Sequence, residues 1–246
     1  MNFSSIKTSS EGNVQINKRK IGETEINPVG LGCMNMTPSY GPGLKRNDAL
    51  NFLSKAIDLG YDFFDTATIY GMGENEKLVG EALKPNRNSF LIASKCVLGF
   101  ADGKRFLDGR PETIKAACEA SLERLQTEVI DLYYMHRPDP KVPIEESVGA
   151  LADLKKDGKI RMLGLSEMSS ETLRKAHSEH PISAMQSEYS LMTRNPELAV
   201  LETCKELGVV FVPFSPVGRG YLCDENIDWS ELDKNDLRRT FPRFSE

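Results

Sequence analysis

Short apolar runs alternate with amphipathic stretches along most of this chain, and this alternation constrains the fold more than any other feature. Seven runs are typical of β-strands, at residues 29–32, 63–66, 90–95, 130–135, 160–165, 184–188 and 209–214. Six stretches have the spacing of helices that bury one face, at residues 49–59, 74–83, 111–125, 144–157, 170–177 and 197–207. Strands and helices in strict alternation form a parallel sheet that the helices cover.

Two segments stand outside this alternation. Residues 14–26 alternate in polarity around a turn at Gly22 and predict a short hairpin, whereas the Ser-rich residues 1–13 are predicted to be loose. The charged residues 99–110 are predicted to form a solvated loop, and lining the mouth of a pocket is the alternative role.

Two parallel architectures fit this order of elements, an open doubly wound sheet and a closed barrel. A doubly wound sheet that binds a dinucleotide favours G-x-G-x-x-G at the turn from its first strand into a helix. Here Gly30 and Gly32 are followed by Asn35, and Pro38 interrupts any helix that would begin there. The sequence therefore favours the barrel.

The length of the chain bears on whether that barrel is complete. An eight-unit barrel takes about 250 residues, and this chain has 246. Seven units of roughly 30 residues use that length, and residues 217–246 are polar with no eighth strand. The prediction is an α/β protein, a (β/α)8 TIM barrel in a single domain over residues 1–246, with the last strand–helix unit missing from this chain. A longer parent protein, a natural short form and completion by a second copy remain open explanations.

Composition argues against several partners. The chain carries 31 Lys and Arg against 36 Asp and Glu, a formal net charge of −5. Its basic residues are scattered, whereas a nucleic-acid surface needs them clustered. No apolar run reaches the roughly 20 residues of a membrane span, and the first residues do not resemble a secretory signal. We therefore expect a cytoplasmic protein without a nucleic-acid or membrane partner.

The cysteines and histidines do not have the spacing of a disulfide framework or a metal site. The five cysteines are far apart, and none forms a C-x-x-C pair. Of the three histidines, His177 and His180 lie three residues apart on or near one predicted helix, on its expected solvated side. No metal site is predicted, and a metal-dependent barrel enzyme is only a minor alternative.

Four side chains capable of acid–base chemistry follow three successive predicted strands: Asp65, Tyr70, Lys95 and His136. Functional residues of parallel barrels lie at the carboxyl ends of the strands, so we expect these four in one pocket. Each alone has an ordinary structural explanation, such as capping a turn or ending a strand in water. Their shared position favours a joint role.

These four residues form a coherent chemical set. The Lys95 ammonium is expected to lower the pKa of the Tyr70 phenol, ordinarily about 10, and Asp65 to pair with Lys95. His136 is expected to orient a substrate carbonyl, and Tyr70 to donate a proton as general acid. Because no serine or cysteine nucleophile with an adjacent base is evident, a cofactor hydride is the natural nucleophile for the carbonyl carbon.

Five spaced motifs resemble those of the aldo-keto reductases. They are Gly30-Leu31-Gly32-Cys33-Met34; Asp65-Thr66-Ala67 with Tyr70-Gly71; Ser121-Leu122 with Arg124-Leu125, Asp131-Leu132 and His136; Leu154-Lys155 with Gly158-Lys159-Ile160-Arg161 and Gly164-Leu165-Ser166; and Phe214-Ser215-Pro216-Val217-Gly218-Arg219-Gly220. The resemblance runs from about Lys18 to the last residues, and Asn35, Thr68 and Glu167 depart from residues common in that family.

The resemblance implies a TIM barrel that binds NADPH and reduces a carbonyl to an alcohol, with Asp65, Tyr70, Lys95 and His136 as the catalytic tetrad. The residues that it implies for cofactor contacts are Gly32, Cys33, Met34, Asp65, Ser166, Glu167, Gln186, Phe214, Ser215, Pro216, Val217, Gly218, Arg219 and Gly220. In that assignment, Ser166, Glu167 and Gln186 hold the carboxamide. Phe214 stacks on the nicotinamide ring, and Arg219 meets phosphate charge.

The predicted function is therefore reduction of a small aldehyde or ketone by hydride transfer from NADPH, with Tyr70 as proton donor. The alternative is a cofactor-binding regulatory or inactive short form of the same barrel, because in this family the missing unit carries contacts to the adenosine 2′-phosphate. The cofactor residues also have structural explanations: Gln186 as a satisfied core amide, Phe214 as core packing, and Gly218 as a turn residue.

Overall fold

The computed structural model of this chain describes residues 17–223 and 229–244, which form eleven strands and six α-helices. The strands are β1 (Arg19–Ile21), β2 (Thr24–Ile26), β3 (Leu31–Gly32), β4 (Phe63–Asp65), β5 (Leu91–Cys96), β6 (Leu98–Ala101), β7 (Lys104–Leu107), β8 (Ile130–Met135), β9 (Ile160–Ser166), β10 (Ala184–Glu188) and β11 (Val210–Phe214). The helices are α1 (Arg46–Asp58), α2 (Glu74–Leu83), α3 (Pro111–Leu125), α4 (Ile144–Lys156), α5 (Ser170–Glu179) and α6 (Val200–Leu207). Every predicted parallel strand and helix is present and overlaps its predicted range.

Seven strands form one parallel sheet, hydrogen-bonded in the order β3-β4-β5-β8-β9-β10-β11. A helix follows each strand before the next strand of this order, so the sheet curves as part of a β/α barrel. The two edge strands, β3 and β11, do not pair with each other, and the described residues contain no eighth parallel strand. The predicted α/β barrel that lacks its last unit is thus the fold that these residues adopt.

Alternate residues of each parallel strand serve two separate cores, because successive side chains of a strand point to opposite faces. On β5, Ile92 packs in the large cluster between the sheet and the helices, whereas Ala93 packs inside the barrel. The helices contribute residues such as Leu53, Ile114 and Leu151 to the large cluster, all fully buried. Burying such a side chain stabilises the fold by roughly 1.5–3 kcal/mol.

The hairpin β1–β2 closes the amino end of the barrel. Its turn lies at Gly22, where φ is 56° and glycine is favoured. Ile21 and Ile26 are buried against Phe63 and Leu91, the first residues of β4 and β5. The predicted hairpin is therefore confirmed over the described part of its range. Positions 1–16, which include the predicted loose segment, lie outside the described residues.

The prediction of a solvated loop at residues 99–110 is wrong, because β6 and β7 pair there as an antiparallel hairpin. The turn consists of Asp102 and Gly103, with φ of 50° and 73°. Asp-Gly with two positive φ angles is a common two-residue turn, and its twist matches that of paired strands. The hairpin is mostly exposed and places Arg105 beyond the carboxyl end of β5.

The helices differ from their predicted ranges mainly at their first turns. Helix α1 begins at Arg46, three residues earlier than predicted. A separate 3-10 turn forms at Asn195–Leu198, with Pro196 near its start. Ala199 has a non-helical backbone conformation, so it separates this turn from α6. None of the described helices is long and apolar enough to cross a membrane.

Candidate active site

The carboxyl end of the barrel brings the predicted catalytic side chains together. Asp65 and Lys95 each follow an interior residue, Phe63 and Ala93, by two positions on the same strand. Because side chains two apart on a strand share a face, both point into the barrel. His136 comes directly after β8, the strand next to β5, and lies two residues after the interior residue Tyr134. Its side chain therefore points to the same face.

Lys95 is the centre of this group. Its side chain is 0% exposed, and its ammonium pairs with Asp65 Oδ1. The same Nζ donates to the carbonyl oxygen of Thr66 at 2.9 Å and lies 3.4 Å from the hydroxyl of Tyr70. Burial is the largest single influence on the pKa of Lys95 and lowers it, but the charges of Asp65 and Tyr70 and the hydrogen bonds to them together outweigh burial, so the net pKa is raised. Lys95 is therefore a charged donor that ties Asp65 to Tyr70.

The pKa of Tyr70 is raised above its ordinary value of 10.0. Burial is the main cause because it penalises the phenolate, and the positive charge of Lys95 opposes it. The expected direction of the Lys95 effect is thus found, but the expectation of a net lowering is wrong. Burial determines the sign of the Tyr70 pKa shift, so Tyr70 stays protonated at neutral pH.

His136 is held as a neutral imidazole beside Tyr70. The two rings meet edge to face, with centroids 5.8 Å apart and an interplanar angle of 84°. Burial, reinforced by the positive charges of Lys95 and Arg137, keeps the pKa of His136 well below its ordinary 6.5. Its Nδ1 is buried without a hydrogen-bond partner among the described residues. A neutral imidazole next to Tyr70 can donate a hydrogen bond to a carbonyl oxygen.

Ser166, the last residue of β9, and Gln186, in the middle of β10, are in register on adjacent strands. Gln186 Nε2 donates to Asp65 Oδ2 at 2.8 Å, so the ion pair of Asp65 extends to β10. A carboxamide needs neighbouring donors and acceptors, and the Ser166 hydroxyl and Gln186 amide provide both. These two residues fit the carboxamide of a nicotinamide. Glu167 faces elsewhere, since its Oε1 accepts the backbone N–H of Glu188 at 2.6 Å.

The residues predicted for the first-strand turn divide between surface and core. Gly32 is exposed, whereas Cys33 is fully buried in the large hydrophobic cluster. The backbone N–H of Cys33 donates to the carbonyl oxygen of Asp65 at 2.8 Å. Met34 begins a 3-10 turn that leads away from the strand. Cys33 thus anchors β3 to β4 through its backbone.

The predicted cofactor segment lies after β11 and turns sharply. Ser215, Gly218, Arg219 and Gly220 all have positive φ angles, and Pro216 and Val217 between them are exposed. Phe214, the last residue of β11, is half-buried in the same two-residue phase as interior residues of that strand. A turn of this kind brings the backbone close to whatever binds above β11.

Arg219 does not face outward from this segment as expected for a phosphate contact. Its guanidinium pairs with Glu188 at 2.7 Å and donates to the hydroxyl of Tyr40. The guanidinium also covers the ring of Phe241 at 4.4 Å and that of Phe214 at 5.6 Å. In this structure the ion pair and the aromatic rings hold Arg219 inside the site.

Sequence reasoning missed the charged residues that surround the tetrad. Glu188, the last residue of β10, accepts from both Arg219 and Arg243, so it anchors the segment after β11 and the last described residues. Arg137, the neighbour of His136, donates to Ser166 Oγ at 3.2 Å. Both follow the signal used for the tetrad, a charged residue at the carboxyl end of an apolar strand.

Comparisons with known proteins agree with this geometry. A family model described as the aldo/keto reductase family matches residues 28–244. A probable aldo-keto reductase 1 from Glycine max is 43% identical over 236 residues, which are 94% of this chain and 67% of that protein. The solved structure of the glycerol dehydrogenase AKR11B4 from Gluconobacter oxydans has a TM-score of 0.84 at 33% identity, covering 93% of this chain and 72% of its own.

A third relative was solved with a bound nucleotide. The aldo/keto reductase from Klebsiella pneumoniae in complex with NADP and acetate has a TM-score of 0.68 at 27% identity, covering 82% of this chain and 69% of its own. The barrel, the four residues at its carboxyl end and these matches agree. The chain belongs to the aldo/keto reductase family of nicotinamide-dependent oxidoreductases.

Proposed function

We propose that this chain reduces an aldehyde or ketone to the alcohol with NADPH, and that Tyr70 donates the proton. One observation carries the proposal: the buried Lys95 ammonium contacts both the Asp65 carboxylate and the Tyr70 hydroxyl. A fully buried lysine is costly unless it is paired. The Lys95 ammonium is paired with Asp65 on one side and contacts the Tyr70 phenol on the other. This arrangement suits proton donation by Tyr70.

A reduced nicotinamide supplies a hydride to the carbonyl carbon when it is bound. The neutral His136 donates a hydrogen bond to the carbonyl oxygen, which fixes its orientation toward Tyr70. The Tyr70 hydroxyl transfers its proton to that oxygen as negative charge develops there. Lys95, 3.4 Å from the phenol oxygen, stabilises the phenolate that remains. Solvent then returns the proton to Tyr70.

Ser166 and Gln186 are the residues that hold the carboxamide in this proposal, and Phe214 is the ring beside the nicotinamide. The support is the register of Ser166 and Gln186 on adjacent strands and the hydrogen bond from Gln186 to Asp65. NADPH is proposed as the cofactor because a related protein from Klebsiella pneumoniae binds NADP. We further propose a cytoplasmic location, a small carbonyl substrate as partner, and a single domain over residues 1–246.

The test is oxidation of NADPH by the purified protein in the presence of a panel of nitrobenzaldehydes. The loss of nicotinamide absorbance measures the rate. We expect turnover, and we expect Tyr70→Phe to lower kcat by about 10²–10⁴-fold while the affinity for NADPH is retained. Full activity of Tyr70→Phe would exclude Tyr70 as the proton donor. Absence of turnover in the wild-type protein with both NADPH and NADH would exclude the reductase function.

The second candidate is a barrel that binds the cofactor without turnover. The position of Arg219 favours it, because a guanidinium paired with Glu188 is not free to contact phosphate. Titration with NADPH, monitored by the fluorescence of the cofactor, distinguishes the reductase from the barrel that only binds. Tight binding without turnover of any aldehyde supports the second candidate, whereas turnover supports the reductase.

A further inference from the structure

Arg137 is a half-buried cation beside His136 that forms no ion pair within 4.0 Å with any carboxylate of the described residues. Six arginines in the described part of the chain are half-buried. Five of them form ion pairs: Arg87–Asp131, Arg124–Glu76, Arg219–Glu188, Arg238–Asp236 and Arg243–Glu188. Within residues 17–223 and 229–244, Arg137 alone of the six pairs with no carboxylate. A cation that loses water without gaining an anion is costly, which points to a ligand.

The hydrogen bonds of Arg137 place its guanidinium at the rim of the tetrad pocket. Its Nη1 donates to the carbonyl oxygen of His136 and to Ser166 Oγ. The guanidinium therefore lies between the ends of β8 and β9, next to the ring that we assign to the carbonyl. Nη2 and Nε donate to none of the described residues, so part of the planar fork is available.

Two further cations, Arg219 and Arg105, lie near Arg137, together with the carboxylate of Glu167. Burial is the main cause that lowers the pKa of Arg137; Glu167 and Tyr70 oppose it, and the positive charges of Arg219 and Arg105 lower the pKa further. Arg105, on the β6–β7 hairpin, also lowers the pKa of His136. The hairpin thus adds positive charge to the same side of the pocket. An anionic ligand there would be attracted by several cations at once.

We propose that the substrate carries a carboxylate as well as a carbonyl, and that Arg137 binds the carboxylate. This proposal rests on the proposed reductase function and names the substrate class of that site. His136 and Tyr70 hold the carbonyl oxygen, and the free edge of the Arg137 fork receives the carboxylate oxygens. A guanidinium fork matches a carboxylate geometrically, which a lysine cannot do.

The experiment compares 4-formylbenzoate with its methyl ester, which has the same aldehyde but no charge. We expect kcat/KM for the carboxylate to exceed that for the ester by about tenfold or more. In Arg137→Met the ratio should fall by about 10- to 100-fold, the size of one hydrogen bond to a charged group. Arg137→Lys should keep part of the preference, because it keeps the charge but loses the fork.

Arg46→Met is the matched control, since Arg46 pairs with Glu81 on the outer helices, where its side chain is 57% exposed. Its ratio should equal that of the wild-type protein. Binding of benzoate, read as a rise in Tm, provides a measurement without turnover. The rise should be present in the wild-type protein and Arg46→Met, and absent in Arg137→Met.

The outcomes separate this proposal from the reductase function. Reduction of the ester with no preference for the carboxylate, or an unchanged ratio in Arg137→Met, overturns the carboxylate assignment alone. A higher KM for NADPH in Arg137→Met at an unchanged ratio also overturns it and assigns Arg137 to the cofactor. Failure to reduce either aldehyde overturns the reductase function, and the benzoate measurement then still decides whether Arg137 binds a carboxylate.

Discussion

The side-chain amide of Gln186 donates to Asp65 Oδ2 at 2.8 Å, while the other oxygen of that carboxylate pairs with Lys95. One carboxylate therefore connects the residue assigned to the carboxamide with the lysine that contacts Tyr70. The proposed cofactor site and the proton donor are therefore both positioned by the Asp65 carboxylate. A change on β10 should accordingly affect both cofactor binding and turnover.

We expect Gln186→Leu to weaken the affinity for NADPH by about tenfold, since one hydrogen bond to the carboxamide is lost. It should also lower kcat, because Asp65 loses the donor on its second oxygen. Cofactor fluorescence titration and steady-state rates measure the two effects. Ser187→Ala, the next residue on the same strand but on its opposite face, is the control and should change neither. An altered affinity with unchanged kcat would contradict the link through Asp65.

Removal of one partner of the buried Lys95–Asp65 pair should be more damaging than removal of both. Lys95 is 0% exposed and Asp65 15%, so Lys95→Met leaves a carboxylate with little access to water. The expected loss of unfolding free energy is about 3–5 kcal/mol. The double variant Lys95→Met/Asp65→Asn should recover part of that loss. Chemical denaturation of the wild-type protein, the single variants Lys95→Met and Asp65→Asn, and the double variant measures this, and strictly additive losses would refute the coupling.

The neutral state of His136 predicts a loss of stability in mild acid. Its pKa is well below 6.5 in the folded chain, so the unfolded chain binds a proton first as the pH falls. Stability is therefore lost as the pH falls below about 6.5, and the loss is complete below the folded pKa. His136→Asn should have a smaller fall in Tm between about pH 7 and about pH 5.5. An equal fall would mean that His136 is not buried as a neutral ring.

Glu188 should stabilise the segment after β11 more than either of its arginine partners does. It pairs with Arg219 and Arg243, so Glu188→Gln leaves two guanidinium groups without their anion. We expect a loss of about 3 kcal/mol for Glu188→Gln and less for Arg243→Met, which leaves the Arg219 pair intact. Faster amide exchange at residues 215–220 in Glu188→Gln would accompany it. Equal exchange in both variants would argue against Glu188 as the shared anchor.

Sequence reasoning located the tetrad because the phase of a strand is readable from its apolar residues. Asp65, Lys95 and His136 each continue an apolar run, and the two-residue repeat then places them inside the barrel. The β6–β7 hairpin was equally accessible, because Asp102-Gly103 is a turn signal, but its charge suggested a loop.

Two other features lay beyond local patterns. The sign of the Tyr70 pKa shift depends on how deeply the phenol is buried, and no local pattern reports that depth. The inward position of Arg219 depends on Tyr40 and Glu188, which are 179 and 31 residues away in sequence. Contacts over such separations follow from the curvature of the whole sheet, which no local pattern reports.

The close approach of α2 and α3 gives a test of the fold that is independent of the chemistry. A Cβ added at Gly80 on α2 would lie 2.5 Å from the carbonyl oxygen of Leu125, the last residue of α3. Backbone cannot move aside cheaply, so Gly80→Ala should cost about 1–3 kcal/mol of unfolding free energy, as overpacking does. A Cβ added at Gly149 on α4 would meet no atom of the described residues within 4 Å, apart from its chain neighbours and its own helix backbone. Gly149→Ala should therefore stabilise the protein by about 0.5–1 kcal/mol through helix propensity. Denaturation of both variants measures the difference, and similar stabilities would show that α2 and α3 do not pack this closely.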